Sequence, residues 1–405
     1  MSAHHRVVCR DCTTERIGTS AFRCPVCGGE YTTTYSSPPA SIDTQSGIWR
    51  WSSVLPIDPD GPRVSLGEGN TPLVPLAARD DVVPIAVKCE HLNPTGSFKD
   101  RILAIAATLV VQRGLGGFVG TSSGNGGASA AAYARRGGFS ALLFTLSDVV
   151  AQKLLQIRAL GGRAYMLSGI GHDAATTSAA AERIASVAAA QGYAPVLTGG
   201  RYAPEAMDGA TTIAYELWEQ APDATHVYVP VGGGGLLSAV GRGFARLAAS
   251  GHRVPRVVAV QPAGCATLRA SADGDFRGIS EETSTSISGL QVAVLFDGPG
   301  AWQAIRSSGG HLVEITDADA AAAQQLLADE GILVEPAGAT AYAGALADIA
   351  AGVLHPEDRV IVVATGAGYK DADALGRLAA SSPEPRRITI DELDAVLTTA
   401  REEGN

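Results

Sequence analysis

The sequence predicts an α/β protein of two domains, with parallel-rich sheets wrapped by helices and a small N-terminal element held by cysteines. Three observations predict it. From about residue 84 onward, short runs of β-branched and apolar residues alternate with single helical stretches. Glycine-rich turns follow three of those runs directly. Four of the six cysteines fall within the first 27 residues. A chain of 405 residues suits two sizeable domains with an appendage better than one core.

The appendage comes first. Cys9-Arg-Asp-Cys12 and Cys24-Pro-Val-Cys27 are two CxxC turns separated by eleven residues. Each turn aims a pair of thiolates at one point, and four thiolates suit a tetrahedral Zn²⁺. Gly28 and Gly29 give the second turn its backbone freedom. A structural zinc on Cys9, Cys12, Cys24 and Cys27 is expected, with free or oxidised cysteines as the alternative. His4 and His5 could join the site, although a disordered terminus is the simpler expectation. Residues 1–34 form this element. The polar stretch TTTYSSPPASID then reads as a linker.

After the linker, PIAVKCE reads as a strand and RILAIAATLVVQRG as a helix ending at Gly114. GGFVGTSSGN is a strand and turn, GGASAAAYARRGG a helix, FSALLFT a strand and VAQKLLQIRALGG a helix. THVYVPVGGGGLL is a strand and turn, SAVGRGFARLAASG a helix, RVVAVQP a strand, and DRVIVVATGAG the last core strand with its turn. Strands separated by single helices are βαβ units, whose sheets are parallel and buried. Residues 100–194 are expected to form a smaller mobile domain. Residues 35–99 and 195–405 would form the larger one.

Composition excludes several classes of partner. The net charge of −10 disfavours nucleic acid and anionic membrane. No run reaches the roughly 18 apolar residues of a membrane span. The start, MSAHHRVVCRDC, lacks the apolar stretch of a secretory signal, so a cytoplasmic protein is expected. The chain could form a homodimer.

Ligands of parallel sheets sit at the carboxyl ends of the strands, where the turns are. Three turns stand there: Thr121 to Gly127, Gly232 to Gly235, and Thr365 to Gly368. Gly232, Gly233, Gly234 and Gly235 can converge their N–H groups on one anion beside a helix N-terminus. No lysine follows as in a nucleoside-triphosphate loop, and the separated glycine pattern of dinucleotide sites is missing. A single phosphate monoester fits better. The stretch NPTGSFKDR adds one amine, Lys99, on a turn. The plain reading of that stretch is a helix start capped by Ser97 with a solvated lysine. A phosphate cup, one lysine and neighbouring hydroxyl and amide groups together suggest pyridoxal 5′-phosphate.

The motifs LGEGNTPL, NPTGSFKDR, SSGN, the glycine cup and EGILVEPAGA occur in that order. Between about residues 48 and 375 the chain resembles the threonine synthase branch of the tryptophan-synthase-β-like, fold type II enzymes that use pyridoxal phosphate. The cysteine turns are similar to an N-terminal zinc-ribbon-like element of some members. The resemblance implies that Lys99 holds the cofactor covalently and later moves the substrate's Cα proton. It implies that Asn125 bonds the cofactor's ring hydroxyl, and that Ser122, Ser123 and Gly124 with nearby N–H groups bind the substrate carboxylate. Thr365 would face the pyridine nitrogen as a neutral hydroxyl, which suits elimination and replacement. The substrate is a small amino acid. O-phosphohomoserine converted to threonine and phosphate comes first. A serine/threonine dehydratase or a β-replacement synthase on an activated serine in specialised metabolism is the alternative. A non-catalytic ligand-sensing or zinc-ribbon regulatory protein is the reading outside enzymes.

The chain departs from threonine synthases at three active-site positions. It has Gly126 where they carry threonine, four consecutive glycines where they carry an Asn-containing phosphate loop, and Ala367 where they carry histidine. The cup instead resembles serine/threonine dehydratases. Other residues have two readings. Asp100 and Arg101 position the lysine turn or form a surface ion pair. Lys153 faces an anionic leaving group or is a solvated helix lysine, the latter being favoured. Glu335 buttresses the ring or closes a helix boundary. Cys89 is expected in the core, and His91 is not expected to be catalytic.

Overall fold

Val360–Val363 reads VIVV, apolar at every position, and a strand of that kind needs cover on both faces. In the computed structural model it is fully buried inside a six-stranded sheet. The structure describes residues 5–18, 22–42, 44–77, 83–121, 124–147, 150–171, 173–271, 283–380 and 382–403.

The chain begins with an antiparallel hairpin, β1 (His5–Cys9) and β2 (Tyr31–Tyr35). Then β3 (Leu73–Pro75) and β4 (Ile85–Lys88) enter the larger sheet. Helix α1 (Lys99–Arg113) leads to the smaller sheet. There β5 (Gly117–Thr121), α2 (Asn125–Gly137), β6 (Ser140–Thr145), α3 (Ala151–Ala159), β7 (Arg163–Met166), α4 (Ala174–Ala190) and β8 (Ala194–Val196) follow in turn. The chain returns through α5 (Thr212–Gln220), β9 (His226–Pro230), α6 (Gly235–Ala249), β10 (Arg256–Pro262) and the short α7 (Thr267–Ala270). Helix α8 (Gly298–Ser308), β11 (Leu312–Ile315), α9 (Asp317–Asp329), α10 (Pro336–Ala350) and β12 (Val360–Val363) complete the body, and two more helices follow.

The larger sheet has the order β11-β10-β9-β12-β4-β3, and the smaller β7-β6-β5-β8. Every pairing in both is parallel except β3 with β4. That exception lies on an edge, where Pro75 leaves no central ladder bond unmade. Because β4, β9 and β12 run parallel, the turns after Lys88, Pro230 and Val363 gather at one end of the sheet. The turn after β5 faces them from the smaller sheet.

Asp100 and Arg101 do not form a surface ion pair. Both are fully buried and each has its own partners. The Arg101 guanidinium reaches Glu90 and Glu216 at 2.7 Å each, and Lys88 reaches Glu216 at 2.6 Å. This network joins α1 to α5 and to the end of β4, so the root of the lysine turn is held on three sides. Cys89 is buried, as expected. His91 is buried beside it and its backbone N–H donates to Ala364. Among the described residues no helix is long and apolar enough to cross a membrane.

Candidate active site

Lys99 is the first residue of α1, and Ser97 does not cap that helix. The turn is anchored by the backbone instead. Phe98 N–H donates to the Thr365 carbonyl at 3.1 Å, and Ala367 N–H donates to the Gly96 carbonyl at 3.0 Å. Asp100 stitches the turn from below. It accepts from Thr95 N–H, Thr95 Oγ1 and Ser129 Oγ, all at 2.6 Å, while its burial pushes its carboxyl up to about 6. Lys99 and Thr365 thus reach the pocket on two mutually bonded turns. The Lys99 Nζ donates to Thr198 Oγ1 at 3.0 Å. Burial of the amine lowers its pKa to about 8, against the opposing pull of the Glu335 carboxylate. An ordinary lysine would be almost wholly charged at neutral pH. This one is part-way to the neutral nucleophile.

The glycine cup lines the same pocket. Gly234 has φ +87°, a conformation that favours glycine, and it delivers the chain into α6 at Gly235. Among the described residues, no hydrogen-bond acceptor meets the N–H groups from Gly232 to Leu237. Such converging donors at a helix start are suited to a phosphate.

Asn125 opens α2 on the other side. Its Nδ2 donates to Glu335 Oε1 at 2.5 Å, and its Oδ1 is buried with no hydrogen-bond partner among the described residues. Lys153 is fully buried, which overturns the solvated reading favoured from the sequence. Its Nζ lies 3.0 Å from Glu335 Oε2 and donates to Ser288 Oγ at 3.1 Å. Gly124 makes room for it, since a Cβ there would lie 2.3 Å from the Lys153 Cδ. Gly124 stands between the pocket-lining residues Thr121 and Asn125. Ser122 and Ser123 lie outside the described residues.

The pocket therefore brings together Lys99, Asn125, Gly232 to Gly235 and Thr365. It also contains residues that the motifs did not reveal, among them Thr198 and Gln291. Thr198 follows a three-residue strand and carries no local signal. Lys153 carried no clear signal either, because Gln152, Gln156 and Arg158 share its helix and a lysine among them reads as solvated.

At the N-terminus the sulfurs of Cys9, Cys12, Cys24 and Cys27 all lie within 4.8 Å of one another. Cys9 and Cys27 are 3.4 Å apart, and Cys12 and Cys24 are 3.5 Å apart. A zinc–sulfur bond of ~2.3 Å requires sulfur–sulfur edges of about 3.8 Å in a tetrahedron, so the donor set fits a zinc-sized ion. His5 turns away to Glu205 at 3.4 Å. His4 lies outside the described residues.

The model of the pyridoxal-phosphate dependent enzyme family matches residues 64–366. The chain belongs to the pyridoxal-phosphate-dependent enzymes of fold type II. It is 32% identical to a threonine synthase of Methanocaldococcus jannaschii over 360 residues, covering 85% of each chain. It is also 32% identical to a threonine synthase of Mycobacterium leprae, covering 88% of this chain and 96% of that one. Among solved structures, an O-ureido-L-serine synthase has a TM-score of 0.61 at 23% identity, covering 80% of this chain and 96% of its own. A threonine deaminase isoform from Solanum lycopersicum has a TM-score of 0.60 at 24% identity, covering 74% and 80%. These two likenesses establish the fold.

The residues present fit the family's cofactor. A phosphate would find the unmet N–H groups of the cup, a ring hydroxyl would find the unmet Asn125 Oδ1, and an aldehyde would find a lysine of lowered pKa. When bound, pyridoxal phosphate supplies an electron sink for the carbanion left when a substrate Cα proton is removed.

Proposed function

We propose that the protein is a threonine synthase, converting O-phosphohomoserine and water to threonine and phosphate. The single observation that carries this reading is Lys153, a fully buried lysine that lines the same pocket as the glycine cup. A substrate phosphate could take the ammonium over from Glu335, which leaves Glu335 to Asn125. In the balanced reaction the Cγ–O bond breaks, phosphate departs, and water adds at Cβ. Lys99 Nζ would hold the cofactor, and its free amine would take the substrate's Cα proton and return protons further along the chain. Asn125 and Thr365 fix the ring, and the Ser122–Ser123–Gly124 turn holds the substrate carboxylate. The two sheets carry different ligands, so a substrate bridging them would favour a closed state of residues 100–194 against the rest. The four N-terminal cysteines hold one structural zinc, and the protein works in the cytoplasm.

Similarity to threonine synthases over most of both chains supports this assignment. A second reading has its own observation. Phe144, Leu146, Ile170, Leu197 and Val292 make one wall of the pocket apolar, and no arginine lines it among the described residues. That wall suits a dehydratase or a β-replacement enzyme whose substrate carries an uncharged hydroxyl or ester in place of the phosphate. Incubation with O-phosphohomoserine, serine, threonine and O-acetylserine separates the two. Release of inorganic phosphate and formation of threonine from the first alone supports the synthase. Turnover of the others with none of the first would replace it.

A further inference from the structure

The N-terminal element touches the wall of the cofactor pocket. Arg10, between the first two cysteines, places its Nη2 3.6 Å from Asp297 Oδ1. Asp297 is fully buried, and this Oδ1 accepts no hydrogen bond among the described residues. Its other oxygen accepts Gly200 N–H at 3.2 Å, and its backbone N–H donates to the Gly233 carbonyl at 2.9 Å. One aspartate therefore ties the glycine cup to the segment whose Thr198 meets Lys99. Gly300 leaves room for the guanidinium, since a Cβ there would lie 2.9 Å from Arg10 Nη1. A second contact runs alongside. The Phe22 ring lies 5.8 Å from Tyr202, and Tyr202 lies 6.2 Å from Phe296. Tyr202 and Phe296 both line the pocket.

We propose that Arg10 is a positioning residue of the cofactor site, and that the cysteine-bound metal sets how firmly the cofactor's phosphate is held. The metal fixes the turn that carries Arg10. Arg10 neutralises Asp297, and Asp297 holds the cup and the Thr198 segment at their spacing. Without Arg10 the buried carboxylate has lost its one direct ion pair among the described residues and keeps only the field of Arg242, and it relaxes by releasing one of the two segments. This rests on the cup being the phosphate site.

The test uses the holoenzyme as purified, together with Arg10→Ala, Arg10→Lys and the double variant Arg10→Ala with Asp297→Asn. Cofactor loss after dilution is followed by visible absorbance, bound phosphate by its ³¹P resonance, and metal by elemental analysis. Arg10→Ala is expected to keep its metal, to lose cofactor about tenfold faster and to shift the ³¹P line, an effect the size of one charged contact. Arg10→Lys should restore most of the retention, and adding Asp297→Asn to Arg10→Ala should recover part of it, because the amide still accepts from Gly200 N–H and leaves no charge unanswered. Chelation should speed cofactor loss in wild type and add little in Arg10→Ala. Wild-type retention and an unmoved ³¹P line in Arg10→Ala would overturn the proposal, as would a chelator effect of undiminished size in that variant. Failure of the cup assignment shows separately, as a wild-type ³¹P line that does not respond to Gly233→Ala.

Discussion

Asn125 and Glu335 meet at 2.5 Å across the pocket, one from the smaller sheet's first helix turn and the other from the N-cap of α10. Glu335 also takes Lys153 at 3.0 Å, so one carboxylate beside the turn after β12 reaches both α2 and α3. Gly366 permits this closeness. A Cβ there would lie 2.1 Å from Glu335 Oε1. The electrostatics of the site turn on this group, and the first three predictions depend on it.

Lys99 has a pKa lowered to about 8 by burial. At pH 7 roughly one such amine in ten is neutral, against roughly one in three thousand for an ordinary lysine. The neutral amine is the nucleophile. The rate at which apoenzyme takes up pyridoxal phosphate should therefore rise about tenfold per pH unit below about 8 and level off above it. Stopped-flow absorbance checks this. A flat profile between pH 6 and 8 would contradict it. Borohydride reduction of the holoenzyme should label the peptide that carries Lys99, and Lys99→Ala should leave no label there.

The Glu335 carboxylate raises the Lys99 pKa against the effect of burial. Removing that charge with Glu335→Gln should move the midpoint of the same profile to lower pH. A midpoint that stays fixed or rises would show that the two groups do not interact.

Lys153→Met should raise KM for O-phosphohomoserine by about tenfold or more, the loss of one charge-assisted contact. Turnover of a substrate with an uncharged hydroxyl or ester in place of the phosphate should change far less. Equal losses on both would assign Lys153 to the fold alone.

Arg101→Leu should destabilise the protein by about 3–5 kcal/mol, because Glu90 and Glu216 would be left buried with one cation fewer. Urea denaturation of the apoenzyme measures it. A loss below about 1 kcal/mol would mean that water reaches the network.

Metal analysis should find about one zinc per chain, and Cys9→Ser with Cys12→Ser should abolish it. Wild type purified without chelator and lacking zinc would refute the site.

The sequence by itself determined the alternation of strands and helices, because β-branched runs need a sheet and the stretches between them end in helix-stopping glycines. It also determined the cofactor class. GSFKD and four successive glycines are local features that show in the chain itself, while burial and Glu335 set the lysine's pKa only in the fold. The CxxC pairs likewise displayed their own geometry. Tertiary structure alone decided what is non-local. Lys153 reads as a solvated helix residue until Glu335, 182 positions away, is folded against it. Arg101 reads as half of a surface pair until α5 brings Glu216 to it. Thr198 has no motif, yet it meets Lys99 because β8 pairs with β5. Arg10 reaches the cup only through a buried aspartate nearly 300 residues on. The physical reason is the same in each case. A buried charge or hydroxyl must be answered by a partner, and which partner answers is set by how the two sheets pack.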